Sequence, residues 1–292
     1  MTETTRIRTM MKKLIICTLT TFMLIHTSYA KPEEWFEKGE RLHYLVEMWG
    51  WLNVGEAELL FKPQDDRYTI LARAWTDSRA FQLRDRLTTE GVHSTVLEEG
   101  PFYSTRQTIE LNENDYRGHK TITFDRNAKM IRYHNIRGNE KPVGFGAPEH
   151  TRDMISALYY FRKTLGDREI KVGDMYQHAV AQNDYIYDMK LKVVGQGKID
   201  GHQALKVQPS MQKLNRDGTP LGDVKDRWTI WVRNDKSFVP QRIEAKTKFG
   251  SFVASLKRYG HLDLESRVIP EIPETGEIIM DKKKTGLLET AD

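Results

Sequence analysis

Hydrophobic and polar residues alternate along most of the chain after residue 40. Because successive side chains of a β-strand point to opposite faces of a sheet, this period of two predicts half-buried strands. Similar runs at 188–193, 228–233 and 239–246 predict sheets with one dry and one wet face. In the first run the apolar residues are Leu42, Tyr44, Val46 and Met48, and the opposite face carries Arg41, His43 and Glu47.

Short turn sequences separate these runs. Asn183-Asp184, Asp200-Gly201 and Gly250-Ser251 each lie between two predicted strands, and these residue types tolerate the positive φ angles of two-residue hairpins. Residues 112–115 and 126–128 favour looser turns. Hairpins this short make neighbouring strands antiparallel, and roughly ten to thirteen strands favour sheets that curve toward closure. The predicted fold is mainly β, with curved antiparallel sheets of barrel or half-barrel shape and one amphipathic α-helix.

The helix is predicted between Thr151 and Leu165. Thr151 is the expected N-cap, and Asp153 is expected in the first turn, where the helix dipole favours a negative charge. Arg162 and Lys163 fall in the predicted last turn, and Gly166 is the expected residue after the C-cap. The apolar stripe has three-four spacing and consists of Met154, Ile155, Leu158, Phe161 and Leu165.

The N-terminus has the organisation of a secretory signal peptide. Lys12 and Lys13 precede an apolar run, and Ser28-Tyr29-Ala30 fits a peptidase site, so residues 1–30 are predicted to be removed after Ala30. An uncleaved anchor helix is the alternative. The single cysteine, Cys17, lies in this segment, so the mature chain would contain no disulfide; lipidation of Cys17 is a further alternative. The predicted location is the periplasm.

The remaining chain is predicted to form a β-rich domain over residues 31–264. Residues 141–148 are rich in Pro and Gly, and a division into parts 31–147 and 148–264 that share one sheet system fits this pattern. Residues 265–292 are charged, with little apolar periodicity, and are predicted to form a flexible tail.

Charge and motifs restrict the function. Cleavage would change 45 basic and 41 acidic residues to 41 and 40, which gives no electrostatic reason to expect nucleic acid. No segment after the leader reaches transmembrane length. The nucleophile, metalloprotease and dinucleotide motifs are absent, so no catalytic residue, metal or cofactor is predicted. Glu149, His150 and Asp153 have possible metal-ligand spacing, but helix capping explains the acidic residues better.

Aromatic residues are the candidate binding groups. Trp49 and Trp51 stand two positions apart at the end of the first predicted strand, Tyr159 and Tyr160 lie on the helix, and Trp231 faces away from Trp228 and Ile230. Tryptophan and tyrosine stack on sugar rings and also favour lipid interfaces, although partial burial in a core explains most such residues.

Four segments together resemble a known family. They are 44–55, with Met48-Trp49-Gly50-Trp51 at the centre, then 152–162, 230–235 and 239–240, and the most specific is Asp153-x-x-Ser156-Ala157-Leu158-Tyr159-Tyr160-x-Arg162. The sequence is similar, over roughly residues 40–261, to the domain of unknown function 3108 family of exported proteins of Gram-negative bacteria. The resemblance implies a β-rich periplasmic fold and marks Asp153, Ser156, Arg162, Asp235 and Pro240 as structural motif residues. Family members usually have a second Asp where Asn234 stands.

The leading hypothesis is a periplasmic, non-enzymatic binding or envelope-assembly accessory protein. A lipid or glycan would lie in a groove between curved sheet and helix, lined by Trp49, Trp51, Tyr159, Tyr160 and Trp231. One alternative is an envelope hydrolase that uses Asp153, His150 or Ser156. The other is a purely structural partner in an envelope complex, which would present an exposed edge strand or a broad apolar patch.

Overall fold

The structure is a computed structural model that describes residues 34–76, 83–92, 102–166, 169–224, 228–235, 237–247 and 250–262. The predicted signal peptide and the predicted tail lie outside these residues. The two helices of the described part are α1 (Glu34–Lys38) and α2 (Met154–Gly166). The strands are β1 (Glu40–Met48), β2 (Leu52–Gln64), β3 (Arg67–Trp75), β4 (Arg84–Val92), β5 (Tyr103–Glu113), β6 (Tyr116–Asp125), β7 (Met130–Asn135), β8 (Val143–Gly146), β9 (Arg152–Asp153), β10 (Met175–Gln182), β11 (Tyr185–Ile199), β12 (His202–Lys213), β13 (Trp228–Arg233), β14 (Pro240–Thr247) and β15 (Gly250–Gly260).

All fifteen of these strands form one curved, open sheet, which confirms the predicted fold class. The strands β1 to β8 are neighbours in chain order, as are β9 to β15, and the two series join where β1 pairs with β15. Neighbouring strands are antiparallel, except that β9 runs parallel to β10. The two series share one sheet. The described residues up to Leu262 belong to one compact unit.

The turn chemistry is mostly as predicted. Asn183 has a φ of 53°, and Asp200 and Gly201 have φ angles of 48° and 82°, so both pairs form the expected hairpin turns. Gly250-Ser251 was the expected third turn, but both residues already belong to β15 and pair with β14. Residues 248–249, between β14 and β15, lie outside the described part.

Helix α2 differs from its prediction at the start. It begins at Met154, and Asp153 is the capping residue, because its Oδ1 accepts hydrogen bonds from the backbone N–H groups of Ile155 (2.9 Å) and Ser156 (3.1 Å). The hydroxyl of Thr151, the predicted N-cap, donates instead to the carbonyl of Pro148 at 2.7 Å. Asp153 is the last residue of β9 and directly precedes the helix. Its carboxylate therefore lies at the free backbone N–H groups of the first helical turn.

The sheet wraps around α2. Side chains of the helix contact β1, β2 and β3 in the first series and β10 in the second, and the capping residue Asp153 contacts β4 and β5. Tyr159 stacks on Phe61 at 4.8 Å between ring centroids, and Trp35 of α1 packs against both rings. Burial of aromatic side chains of this size contributes about 2 to 3 kcal/mol each, so the helix and sheet form one core.

Candidate functional site

The carboxylate of Asp153 is the centre of a buried polar network. Its Oδ1 accepts hydrogen bonds from Thr89 Oγ1 of β4 and Gln107 Nε2 of β5, both at 3.1 Å, in addition to the two helix amides. Its Oδ2 accepts from Ser156 Oγ at 2.5 Å and from Ser104 Oγ. Six donors therefore converge on a side chain with no solvent exposure. A carboxylate satisfied in this way is stabilised as a structural anchor.

Ser156 and Tyr68 extend this network. The hydroxyl groups of Ser156 and Tyr68 lie 2.7 Å apart, and both side chains are buried. Burial, with a further contribution from the charge of Asp153, raises the pKa of Tyr68 well above its ordinary value, so its hydroxyl stays protonated. The network thus connects β3, β4, β5 and the first turn of α2.

A second buried network forms at the other end of α2. Arg162 makes a bidentate ion pair with Glu40 of β1, with 3.0 Å between Nη2 and Oε2, and Tyr159 donates a hydrogen bond to Glu40 Oε1 at 2.9 Å. Arg162 and Glu40 are both buried. The sequence predicted Arg162 only as a basic residue of the last helical turn, whereas the structure shows that it also joins the helix to β1. Its Nη2 also donates to the carbonyl of Ser237 at 3.3 Å, which brings the β13–β14 connection to the helix.

Arg152 of β9 has a different surrounding. Its guanidinium lies 3.8 Å from the ring centroid of Tyr160 and 4.7 Å from that of Tyr103, between the two rings. Its Nε donates to the carbonyl of Phe102 at 3.0 Å, and Nη1 donates to the carbonyl of His150 at 2.9 Å. This contact fixes β9 between β5 and α2.

The residues of the hydrolase hypothesis do not form an acid-base pair with a nucleophile in a cleft. His150 is exposed, while Asp153 and Ser156 are fully buried and joined to each other and to the helix cap. General acid-base catalysis requires a proton-transferring group within hydrogen-bond reach of a substrate. This geometry gives Asp153 and Ser156 structural partners in place of a substrate.

The three residues with metal-ligand spacing also separate. Glu149 is exposed and pairs with Lys129 at 2.8 Å, whereas Asp153 points into the interior. The carboxylate of Glu149 is used in this surface ion pair, and the contact with Lys129 lowers its pKa. Among the described residues no group of three or more His, Cys, Asp or Glu has metal-binding geometry.

The five predicted binding aromatics occupy several different surroundings. Tyr159 has no solvent exposure and bonds to Glu40, so it lies in the core. Tyr160 is half-buried between Arg152 and His178. Trp231 is half-buried, lies over Gly197, where a Cβ would come within 3.0 Å of the ring, and has Lys206 Nζ at 5.5 Å from its centroid. Only Trp49 and Trp51 contact one another.

The groove predicted between helix and sheet is filled in the described part of the chain. Eight of the helix side chains are at most 6% exposed, because both faces of α2 pack against strands. A cavity beside the first residue of α2 has a volume of only about 10 Å³ and is lined by Met154, Asp85, Gln107, Ile109 and Lys120. That space suits about one water molecule and is too small for an acyl chain or a sugar.

Trp49, Gly50 and Trp51 form the turn between β1 and β2, and Leu52 is the first residue of β2; we name these four residues the tryptophan tip. The two indoles stack with centroids 6.0 Å apart and an interplanar angle of 28°. Trp51 is 71% exposed, Trp49 50% and Leu52 38%. The sequence placed Trp49 and Trp51 on one face of a strand end, whereas the structure places them in a turn.

The remaining motif residues support the chain locally. The carboxylate of Asp235 accepts hydrogen bonds from the backbone and hydroxyl of Ser237 and lies 3.6 Å from Arg233. The carbonyl of Pro240, at the start of β14, accepts a hydrogen bond from the Tyr44 hydroxyl at 3.2 Å. Both residues therefore position the β13–β14 connection beside Glu40 and Arg162.

The sequence pattern did not reveal the buried acidic side chains of Glu40, Asp85 and Glu113. Glu40 has no local motif, because its partner Arg162 is 122 residues away. The burial of Asp85 could have been predicted, because Asp85 stands two positions before Leu87 and so lies on the same, buried face of β4. Asp85 and Glu113 are each 3% exposed, and burial together with the charge of Glu113 raises the pKa of Asp85 to about 7.

These features define a class of protein: a β-barrel-like fold made of one curved, open antiparallel sheet around a central helix that is held by buried ion pairs and hydrogen bonds. Residues 43–257 match the family described as "Protein of unknown function (DUF3108)", and the chain belongs to this family. This confirms the resemblance seen in the sequence.

Among solved structures, the chain is similar to a β-barrel-like protein of domain of unknown function DUF1849 from Brucella abortus. The TM-score is 0.49 at 11% sequence identity, over 77% of this chain and 98% of that chain. A comparison with curated proteins gives no match. Neither α1 nor α2 has the length and apolar character required to cross a bilayer, within the described residues.

Proposed function

We propose that this chain is a periplasmic, non-enzymatic binding or envelope-assembly accessory protein that contacts a lipid or glycan of the cell envelope through the tryptophan tip. Trp51 is 71% exposed, more than any other exposed large hydrophobic residue in the described part of the chain, and this exposure carries the proposal. Tryptophan burial is strongly favourable, so an indole presented to water at a defined turn suits an interaction.

The interior of the protein supports a binding role over a catalytic one. Asp153, Ser156, Glu40 and Arg162 are the buried polar groups around α2, and each has hydrogen-bond partners within the fold. Groups in such networks hold the sheet to the helix, and all four side chains are at most 1% exposed to solvent. The contact with the ligand is therefore expected at the exposed tryptophan tip and not in the groove predicted between helix and sheet.

The proposed location depends on the leader sequence. If residues 1–30 direct export, a fusion of this segment to a reporter that is active only outside the cytoplasm gives activity, and the mature protein begins at Lys31. Mass spectrometry of protein purified from the periplasmic fraction measures that N-terminus. Protein that retains residues 1–30 and stays in the cytoplasm would contradict the proposed location.

Binding is tested by tryptophan fluorescence. Titration of the mature protein with envelope lipid and glycan extracts is expected to shift its emission, because an indole that leaves water emits at shorter wavelength. Trp51→Phe is expected to lose most of this shift, while Trp231→Phe, which removes a half-buried indole elsewhere, keeps it. An emission spectrum that neither extract changes would contradict the proposed function.

A further inference from the structure

The shape of the tryptophan tip separates the two ligand classes. Trp49 and Gly50 have φ angles of 55° and 77°, which belong to a tight turn. A Cβ built on Gly50 would meet no atom within 4 Å, so the turn ends in open space. The tip is a convex point. Sugar and small-molecule sites are instead concave and surround the ligand with directed polar groups.

Hydrogen-bonding groups next to the tip are already used within the sheet. The backbone N–H of Trp49 donates to the carbonyl of Ser251 at 2.7 Å, and the side-chain oxygen of Asn53 accepts from the backbone N–H of Gly55 at 3.1 Å. Recognition of a glycan requires several such groups to face the ligand. The large side chains that the tip exposes, Trp51, Trp49 and Leu52, are mainly apolar.

An apolar base holds the tip to the sheet. Met48, Ala245 and Phe252 form a small buried cluster, separate from the main core, against which Val54 packs. The Trp49 indole lies close over Gly250, where a Cβ would come within 2.1 Å of Nε1. The tip therefore has a defined direction, and insertion of its side chains into another phase would cost little additional ordering.

The charge beside the tip is positive. Lys246 is exposed on β14 and pairs in register with Ser251, the residue whose carbonyl binds Trp49. Glu47 and Glu244 both pair in register with Val253, so they lie on the same face as Lys246 but two positions farther from the tip, which leaves Lys246 as the nearest charge of that face. Indoles with an adjacent lysine are typical of segments that lie in the headgroup region of a bilayer.

We infer, building on the proposed function, that the tryptophan tip docks onto the surface of an anionic phospholipid bilayer. Trp51 and Leu52 enter the headgroup region, and Lys246 contacts lipid phosphates. The contact is weak and reversible, because the apolar side chains of a single turn and one cation supply only a small interfacial area.

Vesicle sedimentation tests this inference. The mature protein is expected to sediment with vesicles of phosphatidylethanolamine and phosphatidylglycerol, and brominated acyl chains are expected to quench its tryptophan emission. Trp51→Ser should weaken this partitioning on the order of tenfold, because most of the inserted apolar area is lost. Met175→Ser is the matched control, since Met175 is 57% exposed on β10, away from the tip, and should leave partitioning unchanged. Circular dichroism confirms that each variant folds.

The charge contribution has a separate test. Lys246→Gln is expected to weaken partitioning onto anionic vesicles about fivefold and to leave the weak partitioning onto phosphatidylcholine vesicles unchanged. Partitioning that Trp51→Ser leaves intact would overturn the inference. Loss of vesicle binding together with an emission shift on soluble envelope glycan would also overturn it, and would keep the proposed function. Failure of both vesicles and glycan would remove both.

Discussion

Asp85 illustrates how a single buried side chain can make stability depend on pH. Its pKa is raised from 3.8 to about 7 by burial and by Glu113, and Lys120, which has its own pKa lowered by burial, lies across the same cavity. A raised carboxyl pKa means that the folded protein binds the proton more tightly than the unfolded chain does. The stabilisation is complete below about pH 4 and is lost as the pH rises to about 7.

We expect Asp85→Asn to remove this dependence, because asparagine is neutral at every pH. Relative to the unmodified protein, the free energy of unfolding should be about 2 to 4 kcal/mol higher at pH 8 and nearly equal at pH 4. Urea denaturation at several pH values measures the difference. The comparison cancels the opposite slope from His178, whose pKa is lowered to about 4 by burial and by Arg152. Equal pH profiles for the two proteins would refute the assignment.

Asp153 makes a second prediction at the residue scale. Asp153→Ala leaves buried hydroxyl and amide donors without an acceptor and is expected to lower the free energy of unfolding by about 3 to 5 kcal/mol. Asp188→Ala is the control, since Asp188 accepts a surface hydrogen bond from Gln177 and should cost about 0.5 kcal/mol or less. Urea denaturation at pH 7 measures both.

If Asp153→Ala does not fold, Ser104→Ala is the milder variant: it removes one donor to the carboxylate and the acceptor of the Asp153 backbone N–H, and should cost about 1 to 2 kcal/mol. A loss at Ser104 no larger than at the Asp188 control would show that the network contributes little to stability.

At the scale of elements, the hairpin between β11 and β12 depends on backbone geometry. Gly201 has a φ of 82°, a region that side chains other than glycine adopt only with strain. Gly201→Ala is therefore expected to lower the free energy of unfolding by about 1 kcal/mol. Gly146→Ala in β8 is the matched control, because a Cβ there meets no atom within 4 Å and the φ angle is ordinary. Equal melting temperatures for the two variants would contradict the prediction.

The start of α2 shows how tertiary contacts reassign a local signal. Thr151 and Asp153 are both good capping residues by type, and the sequence pattern favoured Thr151. The pairing of Arg152 and Asp153 with β10 continues the extended backbone to residue 153 and delays the helix to Met154. Arg152 also bonds to Phe102 of the segment before β5, which no local pattern indicates.

At the scale of the whole molecule, the two series of strands are expected to unfold together. They share the β1–β15 pairing, and α2 contacts both. Hydrogen exchange of β3 and of β13, followed by mass spectrometry in increasing urea, should therefore give the same midpoint, and Asp153→Ala should lower both midpoints equally. Separate midpoints would indicate that the two series are independent folding units.

The sequence by itself determined which apolar side chains of the alternating strands face the core, the hairpin connections at 183–184 and 200–201, the presence of one long helix and the family. These features depend on side-chain alternation and on the φ preferences of neighbouring residues, which a local pattern carries. The tertiary structure alone decided that β1 pairs with β15, that Glu40 pairs with Arg162, and that α2 fills the space predicted to be a groove. The physical reason is that such contacts join residues far apart in the chain, and no local pattern specifies which distant residues will meet. The pairing is set only when the complete sheet buries its apolar face.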